Sequence, residues 1–242
     1  MESAQALIRA MEATWAPAQR LRLGPWILRR GAGGGKRVSA TTAEAAAGPR
    51  DIASAEDGMR ALGQPPLFML TPGQGALDAA LAARGYRIVD PVLIFTGAAD
   101  ELAGLDPGGL TTLRCAAPLA RMREIWAAGG IGPGRLAVMA RSGEARCYLL
   151  ARHRDRPRGC AFVARGGSIA MLHALEVMAE VRRQGLGRAL TAAAARWAAE
   201  QGCDRLGLAV TEANAAAIAL YQGLGMRVGA RYHYRLLEEG TR

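Results

Sequence analysis

The feature that most constrains this sequence is a change of hydrophobic period near residue 181. Before it, the second half of the chain reads as successive strands at 145–152, 159–165 and 169–177. The charged segment His153-Arg154-Asp155-Arg156-Pro157-Arg158 and the turn Gly166-Gly167-Ser168 separate them. Beyond it Leu186, Leu190, Ala193, Ala194 and Trp197 recur at helical spacing, which predicts a helix of about sixteen residues stopped by Gly202. A strand at 205–210, a helix at 214–222, a break at Gly223-Leu224-Gly225 and strand signal over 227–237 complete the order. Antiparallel strands followed by strand, helix, strand, helix, strand predict an α+β fold with a mixed sheet.

The first half reads as a smaller α+β unit. A helix is expected at 4–13, and two strand-like runs at 25–29 and 37–41 are joined by Gly31-Ala32-Gly33-Gly34-Gly35 as a hairpin. Strand 67–70, helix 76–83 and a strand over 86–95 follow. The stretch 97–109 turns rich in Gly, Pro and Asp, which places a domain boundary there: 1–105 as an N-terminal α+β domain, 106–242 as a second. After it a helix is expected at 118–128 and a further strand at 135–140.

Several classes of chemistry drop out. Cys115, Cys147, Cys160 and Cys203 form no C-x-x-C pair and the histidines, His153, His173 and His233, lie far apart, so no metal site can be written. No window resembles a membrane span and the first residues lack the pattern of a secretory leader, so a cytoplasmic protein is expected, with no membrane partner. The formal charge is +10, of which residues 106–242 carry twenty Arg against eleven acids. Such a surplus suits a polyphosphate ligand or nucleic acid, but no basic and aromatic interleaving or nucleic-acid motif accompanies it.

The candidate loop for chemistry is Arg182-Arg183-Gln184-Gly185-Leu186-Gly187, leaving a strand and opening a helix, where unpaired amides and the helix dipole favour a phosphate. By itself the pattern is weak. Residues 185–190 lack the third small residue of a dinucleotide fingerprint, Gly31 to Lys36 lacks P-loop spacing, and Gly166-Gly167-Ser168-Ile169-Ala170 misses the nucleophile elbow.

Joined to its surroundings, the loop says more. Leu175-x-Val177-x-x-x-x-Arg182-x-x-Gly185-x-Gly187-Arg188-Ala189-Leu190, followed by Asn214-x-x-Ala217-x-x-Leu220-Tyr221-x-x-x-Gly225-Met226, resembles the core of the GNAT N-acetyltransferase superfamily over about residues 169–230. Ala179 and Met226 depart from the Pro and Phe common there, without removing a functional group. The resemblance implies the GNAT (acyl-CoA N-acyltransferase) fold, a mixed, centrally splayed β-sheet flanked by helices, with acetyl-CoA as co-substrate, no metal and a small-molecule or peptide amine as acceptor. It implies transfer of an acetyl group by direct attack of the amine through a tetrahedral intermediate.

The same resemblance places the pantetheine arm between strands 169–177 and 205–210 and the pyrophosphate on the amides of Arg182, Arg183, Gln184, Gly185, Leu186, Gly187 and Arg188. The amide near Val177, beside Leu175, faces the thioester carbonyl, and Tyr221 corresponds to the family's general acid. Glu176 is the first candidate for the base that an ammonium acceptor requires, with His173 and Glu212 behind it. Strand alternation sets Glu176 opposite Leu175 and Val177, with His173 on the other parity. Asn214 caps a helix and stands near the ligand. Tyr232-His233-Tyr234 is a candidate lining of the acceptor pocket.

A faint internal echo sets Leu81-x-x-x-Gly85-Tyr86-Arg87-Ile88 against Tyr221-x-x-x-Gly225-Met226-Arg227-Val228. Two readings of the first half stay open: a degenerate GNAT-like domain in tandem with the catalytic one, or an unrelated extension. A non-catalytic acyl-CoA-binding module and a basic nucleic-acid-binding protein are the competing functional classes, and a homo-oligomer is left open.

Overall fold

The computed structural model describes residues 3–44, 47–142 and 145–238. Along the chain lie α1 (Ala4–Thr14), β1 (Gln19–Leu23), β2 (Trp26–Arg30), β3 (Thr42–Ala43), α2 (Ile52–Ala61), β4 (Leu67–Leu70), α3 (Gly75–Ala83) and β5 (Arg87–Ala98). There follow α4 (Ala99–Ala103), β6 (Thr111–Cys115), α5 (Ala120–Ala128), α6 (Pro133–Arg141), β7 (Arg146–His153), β8 (Arg156–Gly166) and β9 (Ile169–Val177). The chain closes with α7 (Leu186–Glu200), β10 (Arg205–Thr211), α8 (Ala215–Gly223) and β11 (Arg227–Leu236).

Eight strands form one open sheet in the order β4-β11-β5-β10-β9-β8-β7-β6, and β1-β2-β3 form a small second sheet. In the large sheet β9 and β10 run parallel while the other neighbours are antiparallel, so the α+β class with a mixed sheet is the one observed. The helical stripe read from the sequence is what holds α7 to the sheet: Leu186, Leu190, Ala193, Ala194 and Trp197 are buried against Leu149, Val163, Leu172 and Leu206. Burial of that stripe stabilises this helix, whose N-terminus no side chain among the described residues caps. On the opposite face α1 buries Leu7 and Met11 against Ile94 and Met171. Beside it α5 and α6 bury Met122, Trp126 and Val138 against Tyr148 and Phe162. The sheet is thus flanked by helices on both faces.

Two expected strands are not formed. Residues 133–141 are helix α6, not the strand expected at 135–140: Pro133 starts the helix, and Val138 and Met139 are its buried residues. The hairpin lies earlier than expected, β1 pairing with β2 from Gln19↔Arg30 to Leu23↔Trp26, and the glycine run leads instead into a 3-10 turn at Lys36–Val38.

The echo at Gly85 and Gly225 is real in three dimensions. Tyr86 N donates to Leu81 O at 3.1 Å and Met226 N donates to Tyr221 O at 3.1 Å, so the two helix exits close alike. The correspondence extends to strand pairing. A shift of 140 positions, the spacing from Gly85 to Gly225, carries the pair Leu70↔His233 onto Val210↔Leu93 and Leu67↔Leu236 onto Gly207↔Thr96. The units β4-α3-β5 and β10-α8-β11 are therefore related by a pseudo-two-fold, and they interleave: β11 lies between β4 and β5, while β5 lies between β10 and β11. A strand from the first hundred residues thus sits inside the sheet beside β10. The Asp78 carboxylate of α3 fastens this arrangement, accepting from Arg235 Nε and His233 Nε2 of β11 at 2.8 Å each. The Arg235 bonds hold the Asp78 pKa down to about 2, with His233 adding to the effect.

Candidate active site

The parallel pair β9 and β10 is bonded only from Arg205↔Ile169 to Leu208↔Leu172. Beyond that point β9 stays on β8 as far as Val177 and β10 stays on β5 as far as Thr211, so the two strands diverge. The divergence leaves backbone donors and acceptors of the β9 edge without a strand partner, a setting that accepts an extended ligand by added main-chain hydrogen bonds. A cavity of about 950 Å³ opens in this gap.

The β9 edge is further shaped by a bulge. Ala174 takes φ 49°, and the β8–β9 register slips by one residue between Cys160 and Phe162. The inserted residue brings His173 and Glu176 to the same face, whereas Leu175 and Val177 face the α7 side. The expected opposite parity of His173 and Glu176 is thus overturned by one extra residue. Glu176 lies against Gly129 at the end of α5, where a Cβ would sit 2.5 Å from its carboxyl carbon, so any side chain there would displace the carboxylate. Its Oε1 accepts from Arg182 Nη2 at 3.2 Å.

At the mouth of the gap the chain passes through a 3-10 turn, Ala179–Val181, into the glycine bend. Arg183 and Gly185 both adopt left-handed backbone, φ 63° and 85°, which turns the chain sharply into α7. The first N–H groups of a helix have no intrahelical acceptor, and here no side chain supplies one. The bend therefore presents free donors and the positive dipole end toward the cavity, the physical requirement for binding a phosphate. Arg182 Nε also donates to Val177 O at 3.2 Å, and Arg188 Nε donates to Asp106 O at 2.8 Å. Leu186 is buried, so only its backbone is available to a ligand.

Of the residues singled out in the sequence, Leu175, Glu176, Val177, Arg182, Arg183, Gly185, Leu186, Gly187, Arg188, Asn214 and Tyr221 all line this one cavity; Gln184 is exposed beside it. Asn214 Oδ1 accepts from Ala217 N at 3.0 Å, the expected helix cap. Tyr221 is buried in the wall with its ring 6.0 Å from that of Phe95. Burial pushes its phenol pKa well up, so the hydroxyl keeps its proton at neutral pH. Glu212 is elsewhere: it pairs with Arg231 at 3.7 Å and lines a second cavity of about 310 Å³. The triplet on β11 divides as strand geometry demands, Tyr232 and Tyr234 facing the main cavity and His233 the second one.

One wall went unread in the sequence. Trp15 after α1, the loop Gly34-Gly35-Lys36-Arg37, and Asp90 and Val92 of β5 close the cavity on the side remote from the glycine bend. Taking 37–41 for a strand hid this loop, although a run of glycines ending at Lys36-Arg37 is itself a signal for a backbone that must approach something closely.

His173, 4 % exposed, stands between the two walls. Thr14 Oγ1 lies 2.7 Å from Ala10 O and 2.9 Å from His173 Nε2. The single hydroxyl proton goes to the carbonyl, so Nε2 carries the ring proton and Nδ1 is the bare nitrogen, 3.4 Å from Arg37 Nη1. Burial first, and the Arg37 charge second, hold the His173 pKa well below its ordinary value. The unfolded chain binds this proton near pH 6.5 whereas the native ring stays neutral, so stability is lost as pH falls below 6.5. Wild type should accordingly lose up to about 1.4 kcal/mol more per pH unit below 6.5 than His173→Gln, compared by urea unfolding between pH 7.5 and 5. Equal acid slopes for the two proteins would contradict the assignment.

Parallel strands parted at their C-terminal ends, with a glycine bend and bare helix N-terminus at the opening, define the acyl-CoA N-acyltransferase class of fold. Residues 120–226 match the sequence model of the acetyltransferase (GNAT) family. A GCN5-related N-acetyltransferase from Kribbella flavida superposes with a TM-score of 0.72 at 20% identity, covering 99% of this chain and 97% of its own. A tandem GNAT protein from the clavulanic acid biosynthesis pathway gives 0.63 at 16% identity, covering 97% and 88%. A GCN5-related N-acetyltransferase from Sphaerobacter thermophilus also gives 0.63 at 16% identity, over 84% and 74%. A search of curated protein sequences gave no match. Among the described residues no cluster could hold a metal ion and no helix is long and apolar enough to cross a membrane.

Proposed function

We propose that the protein is an acetyl-CoA-dependent N-acetyltransferase acting on an amine. The observation that carries the reading is the opening of β9 from β10 after Leu172 and Leu208, with the uncapped start of α7 at its mouth and the buried Tyr221 hydroxyl in its wall. The family match over residues 120–226 supports acyl transfer in general; the donor and the amine acceptor are our reading.

In this reading the β9 edge from Leu175 to Val177 holds the pantetheine arm, and the amides of Arg182 to Arg188 take the pyrophosphate. The Val177 amide stabilises the oxyanion that forms as the acceptor nitrogen attacks the thioester. A primary ammonium cannot attack until it loses a proton, and Glu176 is the carboxylate on the β9 face of the cavity that can take it. Tyr221 returns a proton to the departing thiolate. The protons balance: two leave the ammonium nitrogen as its bond to carbon forms, one to Glu176 and on to solvent, and one to restore the proton that Tyr221 gives to sulfur as the C–S bond breaks, so that an amide and a free thiol are the products.

The N-terminal half is, in the same reading, a GNAT-like counterpart that has lost catalysis. The shift of 140 positions sets Leu81 where the second half has Tyr221, and a leucine has no proton to give. We assign residues 1–105 to this silent half and 106–242 to the catalytic one.

Titrating acetyl-CoA into the protein in a calorimeter should give one site per chain with micromolar affinity, and an amine library should release free thiol with at least one member. Heat without thiol release would mark a non-catalytic acyl-CoA binder. Absence of both would overturn the assignment.

A further inference from the structure

The wall opposite the glycine bend holds donors that no group among the described residues satisfies. Among the described residues Arg37 Nε, shielded from solvent, has no hydrogen-bond partner, and neither has the hydroxyl of Tyr232, a residue only 3 % exposed. Both residues line the cavity. The Arg37 guanidinium stands 6.0 Å from the centroid of the Trp15 ring, and its Nη1 meets the bare nitrogen of His173 at 3.4 Å, too long to satisfy a charged donor well. Tyr232 and Tyr234 are the neighbours that sustain its charge against burial.

The two carboxylates among the residues lining the cavity each have a cation of their own. Asp90 pairs with Lys36 at 2.8 Å and Glu176 with Arg182 at 3.2 Å. Among the described residues no carboxylate pairs with Arg37. His173, its pKa held well below the ordinary value first by burial, is neutral there. A permanent cation and an unpartnered hydroxyl, shielded together in an aromatic wall, have a shared requirement: an anionic oxygen supplied from outside. A planar guanidinium flanked by neutral groups matches a carboxylate, which takes one unit of charge and two hydrogen bonds.

We propose that the acceptor is a small amino acid-like molecule whose carboxylate is held by Arg37 and the Tyr232 hydroxyl while its amine faces the opened β9 edge. The proposal rests on the acetyltransferase reading and narrows its substrate class. Peptide N-termini and polyamines, which offer no carboxylate next to the reacting amine, are excluded as best substrates. Trp15 and Tyr234 provide the apolar surroundings that make one ion pair decisive, because a buried carboxylate-binding group rejects an analogue lacking its partner far more strongly than an exposed one does.

The test is a thiol-release assay with acetyl-CoA and matched sets of acceptors: free α- and ω-amino acids, the same molecules as carboxamides, and the corresponding decarboxylated amines. The expected result is that the best acceptor is a free amino acid and that its carboxamide and its decarboxylated amine fall at least a hundredfold in kcat/KM. Arg37→Gln should raise KM for that acceptor tenfold or more, leave KM for acetyl-CoA unchanged, and collapse the acid-to-carboxamide ratio toward one. Tyr232→Phe, which keeps the ring, should move the same ratio by several-fold, so the outcome does not depend on the Arg37 variant folding well. Turnover that is equal for acids and carboxamides, or a best acceptor without a carboxylate, overturns the proposal while leaving the acetyltransferase assignment intact. A failure of acetyl-CoA to bind in the calorimeter would instead remove the assignment itself, and this proposal with it.

Discussion

Replacing Tyr221 by Phe should lower kcat by about two to three orders of magnitude while the Kd for acetyl-CoA changes by less than about threefold. The phenol is buried in the cavity wall and its pKa is displaced upward by that burial, so in the proposed reaction it is available as a proton donor. The thiolate that departs from a thioester becomes basic only as the bond breaks, and a donor that holds its proton until then acts on the transition state alone. Phenylalanine preserves the ring contact with Phe95 and removes nothing that folding needs. The loss should also be smaller for acyl donors whose thiol is more acidic, because these need less help to leave. Steady-state kinetics with such donors, beside calorimetry of acetyl-CoA, checks both statements. A variant within threefold of wild type would reduce Tyr221 to a packing residue.

The second large effect is expected at Glu176. Glu176→Gln should reduce kcat by about a hundredfold. The variant retains an oxygen for Arg182 Nη2, which now bonds the carboxylate at 3.2 Å, so the local fold should persist. With the base gone the acceptor must deprotonate by itself. The variant's rate should therefore climb with pH toward the acceptor's own pKa of roughly 10, where wild type levels off earlier. If Glu176 serves only to position Arg182, the substitution will act on the KM for acetyl-CoA and leave the shape of the pH profile alone.

How much of this was legible in the sequence depended on whether a local signal existed. The helix α7, its glycine bend and the following strand, helix, strand were readable because helical periodicity and glycine stops are short-range codes. The bulge at Ala174 was not, because a non-glycine residue with positive φ leaves no mark in composition, and it alone decides that His173 and Glu176 share a face. Helix α6 was misread for a related reason: Leu136-Ala137-Val138-Met139 is a short apolar run that suits either element, and only Pro133 at its start favoured the helix. The cavity wall remote from the glycine bend was the least legible part. Trp15, Arg37, Asp90 and Tyr232 come from four separate stretches, and no motif links residues that meet only after the sheet has formed.

The interleaving of β4-α3-β5 with β10-α8-β11 carries a consequence for inheritance. Residues 87–98 lie as a ribbon between two ribbons drawn from the last forty residues of the chain, so each half lacks a complete sheet without the other. Recombination that swapped or deleted either half would bare raw strand margins and would carry off part of the cleft as well. The first half of the chain is thereby tied to the second and must drift, or be kept, in its company.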